Sequence, residues 1–140
     1  MMRAPPLQRI LETALYVDDL PVARAFYVDV LGAAILLDTQ RLVALDIAGA
    51  SVLLLFQRGA TSEPLATPGG VVPPHGGSGE QHLAFAIDAG ALDDWRRHLA
   101  GHGIAIESEV TWPRGGRSIY LRDPEGHSVE LVTRGLWATF

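Results

Sequence analysis

The sequence predicts an α+β fold built from two repeated modules, each with the element order strand, helix, and three further strands. Three observations lead to this prediction. Short runs that alternate apolar and polar residues indicate strands, and two longer runs with apolar residues at helical spacing indicate helices. These elements follow the same order in both halves of the 140 residues, and equivalent positions recur at nearly constant separations.

The first module spans about residues 8–57. Alternation over Ile10–Val17 predicts its first strand. Asp19 is a candidate N-cap for the following helix, which has Pro21 near its first turn and is expected to end at Gly32. The three remaining strands of this module are predicted at Ala34–Leu37, Leu42–Ile47 and Ser51–Gln57.

The second module spans about residues 81–134, with a strand at Gln81–Ile87 and an amphipathic helix at Ala91–Gly101. A linker at residues 58–80 is rich in glycine and proline, and we expect it to be more mobile than either module. The whole chain, residues 1–140, is predicted to be one domain. The last three strands are predicted at Ile104–Val110, Arg117–Arg122 and Ser128–Thr133.

The two modules can be aligned by separations along the chain. Glu12 and His82 occupy equivalent positions in the first strands and are separated by 70 residues. Later, Gly49-Ala-Ser-Val52 matches Gly126-His-Ser-Val129 at a separation of 77 residues. The separation between equivalent residues thus increases from 70 to 77, which indicates an insertion in the second module. We place this insertion around residues 112–118. Together these matches favour duplication over a chance similarity of short strands.

Composition excludes several classes of function. The chain has no cysteine and no lysine, which rules out disulfides, thiolate metal sites and Schiff-base chemistry. The net charge is −5 without a basic run, so a nucleic-acid partner is not expected. The longest apolar stretch, Ile47–Phe56, is too short to span a bilayer, and Met1–Leu7 lacks a signal-peptide pattern. We therefore expect a cytoplasmic protein with no membrane partner.

Three ionisable residues interrupt the apolar strand pattern: Glu12, His82 and Glu130. In each case the flanking large apolar residues point to the opposite face, so all three are expected to lie on one common, helix-free sheet surface. Two carboxylates brought together are stable when a cation or proton lies between them, and an added imidazole completes a three-ligand divalent metal site. The alternative is three ordinary residues on a solvated face, but a charged cluster in a cleft favours the shared site.

Other residues are candidates for the same surface. Tyr120 alternates with its neighbours so that it shares the face of Glu130, where its hydroxyl can bind substrate or be satisfied in the core. His75, in the linker, can fold over the mouth of the site or remain exposed. By the separation of 77 residues Leu53 corresponds to Glu130, so Leu53 and Leu55 are expected to form an apolar wall. The remaining histidines are predicted to be solvated: His98, His102 and His127.

Three segments resemble the vicinal oxygen chelate superfamily, which includes glyoxalase, bleomycin-resistance proteins, fosfomycin-resistance enzymes and extradiol dioxygenases. The resemblance covers roughly Ile10 to Thr133, and its third segment is the most specific. The segments are Glu12–Leu20 with Ala25-Phe-Tyr27 and Leu31-Gly32, then His82–Ile87, then Tyr120–Val132.

The resemblance implies curled, mixed sheets around a divalent metal, with the helices outside. Carried over by position, the metal ligands are Glu12, His82 and Glu130. Family members more often have His or Gln at the first of these positions, and Leu53 stands at the fourth. The set is therefore similar to the three-ligand arrangement of dioxygenases and fosfomycin enzymes rather than to the four-ligand pattern of glyoxalase.

The function that follows from this resemblance is a metal-dependent lyase, isomerase or dioxygenase. The metal, of the class Mn²⁺, Fe²⁺, Ni²⁺ or Zn²⁺, would bind a small substrate through two oxygens, and Tyr120 or His75 would assist proton transfer. The resemblance also implies a homodimer in which Glu12 comes from one chain and His82 with Glu130 from the other. The alternative is a metal-free protein that sequesters a small molecule or antibiotic, a class that does not need these three residues.

Overall fold

A computed structural model describes residues 1–140. Its first half forms a mixed four-stranded sheet in the order β1-β4-β3-β2, with β1 parallel to β4 and the other pairs antiparallel. The helix α1 continues into a π-helical turn at Phe26–Val30. The elements are β1 (Glu12–Val17), α1 (Leu20–Ala25), β2 (Ala34–Asp38), β3 (Leu42–Ile47) and β4 (Ser51–Gln57).

The second half repeats this arrangement in the order β7-β10-β9-β8, with β7 parallel to β10. Both sheets are curled but not closed, and the two helices lie outside them, so the predicted α+β class with two βαβββ modules is confirmed. The elements are the hairpin β5 (Leu65–Thr67) and β6 (Gly70–Val72), then β7 (His82–Ala86), α2 (Leu92–Gly101), β8 (Ser108–Thr111), β9 (Arg117–Arg122) and β10 (Ser128–Val132).

The start and end of the first helix follow from local chemistry. The Asp19 carboxylate accepts a hydrogen bond from the Val22 amide at 3.2 Å, which satisfies a backbone donor that the first turn leaves free. Pro21 lies in that turn, where no amide hydrogen is needed. Gly32 follows the π-helical turn with φ of 78°, a conformation that stops a helix and favours glycine. The predicted capping is confirmed.

One core of 17 buried residues joins both modules. It contains Leu53 and Leu55 of β4, so the prediction that they line the site is wrong. The cause is a register difference: Glu12 lies opposite Val52 in β1–β4, whereas His82 lies opposite Ser128 in β7–β10. Val52 therefore matches Ser128, and Leu54 matches Glu130. This register differs by one residue from the sequence alignment, and a shift of one residue places Leu53 on the other, core-facing side of the sheet.

The turn before β10 is buried against the first module. The Tyr27 hydroxyl donates to Asp123 Oδ2 at 2.7 Å, and burial followed by the nearby carboxylate raises the pKa of Tyr27. His127 accepts from the Gln81 amide at 2.9 Å, and its Nε2 donates to the Tyr16 carbonyl at 3.0 Å. His127 is thus buried and fully bonded, so its predicted solvent exposure is wrong. The packing of one module on the other encloses this turn.

Two other segments differ from the sequence prediction. The linker contains the hairpin β5–β6 rather than irregular chain alone, while its greater mobility stays a prediction. Strand β8 begins at Ser108 rather than Ile104, because Ile104 and Ile106 pack against the core without backbone pairing. Neither helix has the length and the apolar composition that a membrane span requires.

Candidate metal centre

Two of the predicted ligands lie together on the helix-free face of the second sheet. Val129 and Leu131 point into the core, so the intervening Glu130 points away from it. His82 Nε2 lies 3.3 Å from Glu130 Oε1. The Glu130 side chain is only 5% exposed, while that of His82 is 52% exposed. A buried carboxylate thus lies beside an imidazole that solvent or a ligand can reach.

The hydrogen bonding of His82 determines which nitrogen is free. Its Nδ1 lies 3.1 Å from the Ser128 carbonyl, which can only accept, so Nδ1 carries the hydrogen in the neutral ring. Nε2 then presents a lone pair to Glu130 Oε1, and two such acceptors are stable together when a cation or a proton lies between them. Two ligands bound at right angles to one metal, each at about 2.1 Å, lie about 3 Å apart. The His82–Glu130 pair fits a divalent metal.

The second oxygen of Glu130 is held by groups that the sequence prediction missed. The Ser118 hydroxyl donates to Glu130 Oε2, and Trp112 Nε1 donates to Ser118 Oγ at 2.8 Å. Bonds of this kind orient a carboxylate ligand before a metal arrives. Strand alternation could have identified Ser118, because it shares the face of Tyr120 on β9. Trp112 lies in the turn between β8 and β9, and no periodic signal marks it.

Tyr120 borders the same pair. It lies opposite Glu130 in the pairing of β9 with β10. The ring centroids of Tyr120 and His82 are 6.3 Å apart, and the angle between the ring planes is 25°. Burial raises the pKa of the Tyr120 phenol, and the Glu130 carboxylate adds to this effect. A phenol is protonated at neutral pH even without this shift, and the raised pKa extends the protonated range, so the hydroxyl is a hydrogen-bond donor.

Glu12 lies on the helix-free face of the first sheet, in a surface that we call the first-module cup. This cup has a volume of about 330 Å³, and Leu54 and Phe56 form part of its wall. His75 also lines this cup, and its Nδ1 lies 2.6 Å from the Tyr16 hydroxyl. The ring centroids of His75 and Phe56 are 4.8 Å apart. The linker therefore folds over the first-module cup and brings its histidine there.

The single chain does not bring the three predicted ligands together. No group of three histidine, cysteine or acidic side chains lies where it could hold one metal. Strand alternation correctly predicts that Glu12, His82 and Glu130 all avoid the core, but the expected common surface is not formed within one chain. The reason is topological, because β1 belongs to one sheet, whereas β7 and β10 belong to the other.

Comparisons with known proteins give a consistent result. The family model of the glyoxalase/bleomycin resistance protein/dioxygenase superfamily matches residues 9–131. The crystal structure of lactoylglutathione lyase from Agrobacterium tumefaciens is similar with a TM-score of 0.86 and 38% identity, covering 96% of this chain and 99% of that chain. A glyoxalase/dioxygenase from Nostoc punctiforme is similar with a TM-score of 0.69 and 25% identity, covering 95% and 96% of the two chains.

A curated relative adds a second kind of activity. Metallothiol transferase FosB of Staphylococcus saprophyticus subsp. saprophyticus is 25% identical over 128 residues, which are 91% of this chain and 78% of the relative. The relatives named here therefore include both a lyase and a transferase.

Proposed function

Because the chain belongs to the glyoxalase/bleomycin resistance protein/dioxygenase superfamily, we propose that it is a metal-dependent enzyme acting on a small substrate that chelates through two oxygens. The observation that carries this proposal is the spacing of 3.3 Å between His82 Nε2 and Glu130 Oε1. The Ser128 carbonyl fixes the tautomer of the imidazole, and Ser118 holds the carboxylate. A buried carboxylate oriented in this way is suited to binding a cation.

The third ligand in this proposal is Glu12 of the partner subunit. Each chain carries two donors on its second sheet and one acid in the first-module cup. A two-fold dimer that sets the cup of one chain against the second sheet of its partner creates two identical three-ligand sites. The exposed apolar side chains of β2, Ile35, Leu36 and Leu37, give such a dimer further surface to cover.

The metal would act as a Lewis acid that stabilises negative charge developing on a substrate oxygen. The Tyr120 hydroxyl, which is protonated at neutral pH, would donate a hydrogen bond to the substrate beside the metal. His75 would lie across the site in the first-module cup of the partner. Its Nδ1 is engaged by the Tyr16 hydroxyl, so Nε2 is the nitrogen that exchanges a proton with the substrate.

Thiol-derived substrates are the first class to assay. The names lactoylglutathione lyase and metallothiol transferase both refer to a thiol or its adduct. Leu54 occupies the position equivalent to Glu130 in the first module, so a fourth protein ligand is missing and one more position stays open for substrate. The second candidate function is metal-free sequestration of a small molecule, and the apolar wall of the first-module cup favours it.

Metal-free protein should be titrated with Mn²⁺ and assayed on two substrates, the adduct of methylglyoxal with glutathione and an epoxide with a free thiol. We expect Mn²⁺-dependent turnover of one of them, and loss of both Mn²⁺ binding and turnover in His82→Ala. His98→Gln, a histidine change outside this site, should keep the Mn²⁺ binding and the turnover of the unmodified protein. Absence of Mn²⁺ binding to the unmodified protein, or Mn²⁺ binding that His82→Ala leaves unchanged, would contradict the metal-dependent enzyme and favour the binding protein.

A further inference from the structure

We propose a second metal site on the outer helix of the second module, formed by His98 and His102 and selective for Ni²⁺, Cu²⁺ or Zn²⁺. His98 lies in the last turn of α2 and His102, four residues later, is its C-cap, so the two side chains lie on the same side of the helix end. Their ring centroids are 4.6 Å apart, and both residues are exposed. Two imidazoles at this spacing can bind one metal while its other positions remain open to water or a small ligand.

The hydrogen bonding of His98 supplies an independent argument. His98 Nε2 lies 2.7 Å from the Val30 carbonyl at the end of the first module's π-helical turn. Since a carbonyl only accepts, Nε2 carries the hydrogen and Nδ1 keeps its lone pair. Histidines that bind metals nearly always donate their other ring hydrogen to such an acceptor. The rings of Trp95 and His98 pack in a T-shaped arrangement, with centroids 5.6 Å apart and an interplanar angle of 89°.

The electrostatic surroundings also favour a cation. The two rings lie at the carboxyl end of a ten-residue helix, where the helix dipole attracts positive charge. The carboxylate of Asp29 lines the surface cavity that His98 borders, together with Asp94, whose charge is paired with Arg97. Nitrogen ligands select Ni²⁺, Cu²⁺ and Zn²⁺ over Mn²⁺, whereas the oxygen of Glu130 also suits Mn²⁺. The pair lies on the helix side of its sheet, away from His82, and the inference does not rest on the proposed function.

Ni²⁺ titration of the His82→Ala protein tests this site without a contribution from the metal centre. We expect His102→Gln in that background to weaken Ni²⁺ binding, measured by equilibrium dialysis, at least about 10-fold. Bound Ni²⁺ should quench Trp95 fluorescence, and Trp95→Phe should remove most of the quenching while leaving binding in place. Both substituted histidines are exposed, so folding should be unaffected.

The control is Glu63→Gln, which changes an exposed linker residue outside both metal sites and should leave the Ni²⁺ affinity of the His82→Ala protein unchanged. Equal Ni²⁺ affinity with and without His98 and His102 would overturn the inference. Absence of Ni²⁺ binding in the His82→Ala protein would overturn it as well. Neither result bears on Mn²⁺ binding at Glu130, so this inference and the proposed enzyme fail separately.

Discussion

Glu130→Gln is expected to weaken Mn²⁺ binding by at least about 100-fold, because it replaces a charged ligand with a neutral amide. The substitution conserves volume, and the amide oxygen can still accept the Ser118 hydroxyl, so the fold should be maintained. Ser118→Ala leaves the carboxylate but removes the donor to its second oxygen, so we expect a smaller loss of about 10-fold. Calorimetric titration of metal-free protein measures both values.

Glu63→Gln is the matched control for this series. Glu63 is an exposed linker residue, and its substitution should leave Mn²⁺ affinity unchanged. The order of affinities should be the unmodified protein, then Ser118→Ala, then Glu130→Gln. Equal Mn²⁺ affinity in Glu130→Gln and the unmodified protein would mean that Glu130 is not a ligand.

Gly116→Ala is expected to lower the free energy of unfolding by about 3 kcal/mol, because no space exists for a methyl group. A Cβ at Gly116 would lie 2.5 Å from the Gly135 carbonyl carbon, and backbone cannot yield as a flexible side chain does. The Gly116 amide also donates to the Gly135 carbonyl at 3.1 Å, which ties the turn before β9 to the carboxyl-terminal segment. Denaturant unfolding measures the loss.

The same change should weaken Mn²⁺ binding indirectly. The Gly116 carbonyl accepts from the Trp112 amide at 2.7 Å, so a displaced turn moves the indole that supports Ser118. Gly90→Ala is the control, since a Cβ there meets no atom within 4 Å. Unchanged stability of Gly116→Ala would show that the close approach of the two glycines is relaxed in solution.

Local sequence signals predicted most elements of the fold. Alternation identified Leu42–Ile47, Ser51–Gln57 and Arg117–Arg122 with the bounds that the structure has. It failed at Ile104, where apolar residues alternate without a partner strand, since alternation reports burial rather than pairing. The hairpin at Leu65–Val72 was missed because three-residue strands are too short for a periodic signal.

The candidate site was predictable in part for the same reason. The alternation of apolar and polar residues correctly predicts that the side chains of His82 and Glu130 point away from the core. It could not show that Glu12 belongs to a different sheet, since strand pairing is a long-range property of the fold. The strand registers make Leu54 the counterpart of Glu130, whereas the repeated Gly-x-Ser-Val motif indicates Leu53. The burial of His127 depends on how the modules pack, which no local pattern reports.

In the proposed dimer, each metal centre combines His82 and Glu130 of one chain with Glu12 of the partner subunit. Mixed dimers of a Glu12→Ala chain and a Glu130→Gln chain test this most directly. Each variant alone should bind Mn²⁺ weakly and be inactive. Random mixing should restore tight Mn²⁺ binding to about a quarter of the sites, since half of the dimers are mixed and each has one intact site. No recovery in verified mixed dimers would contradict the shared site.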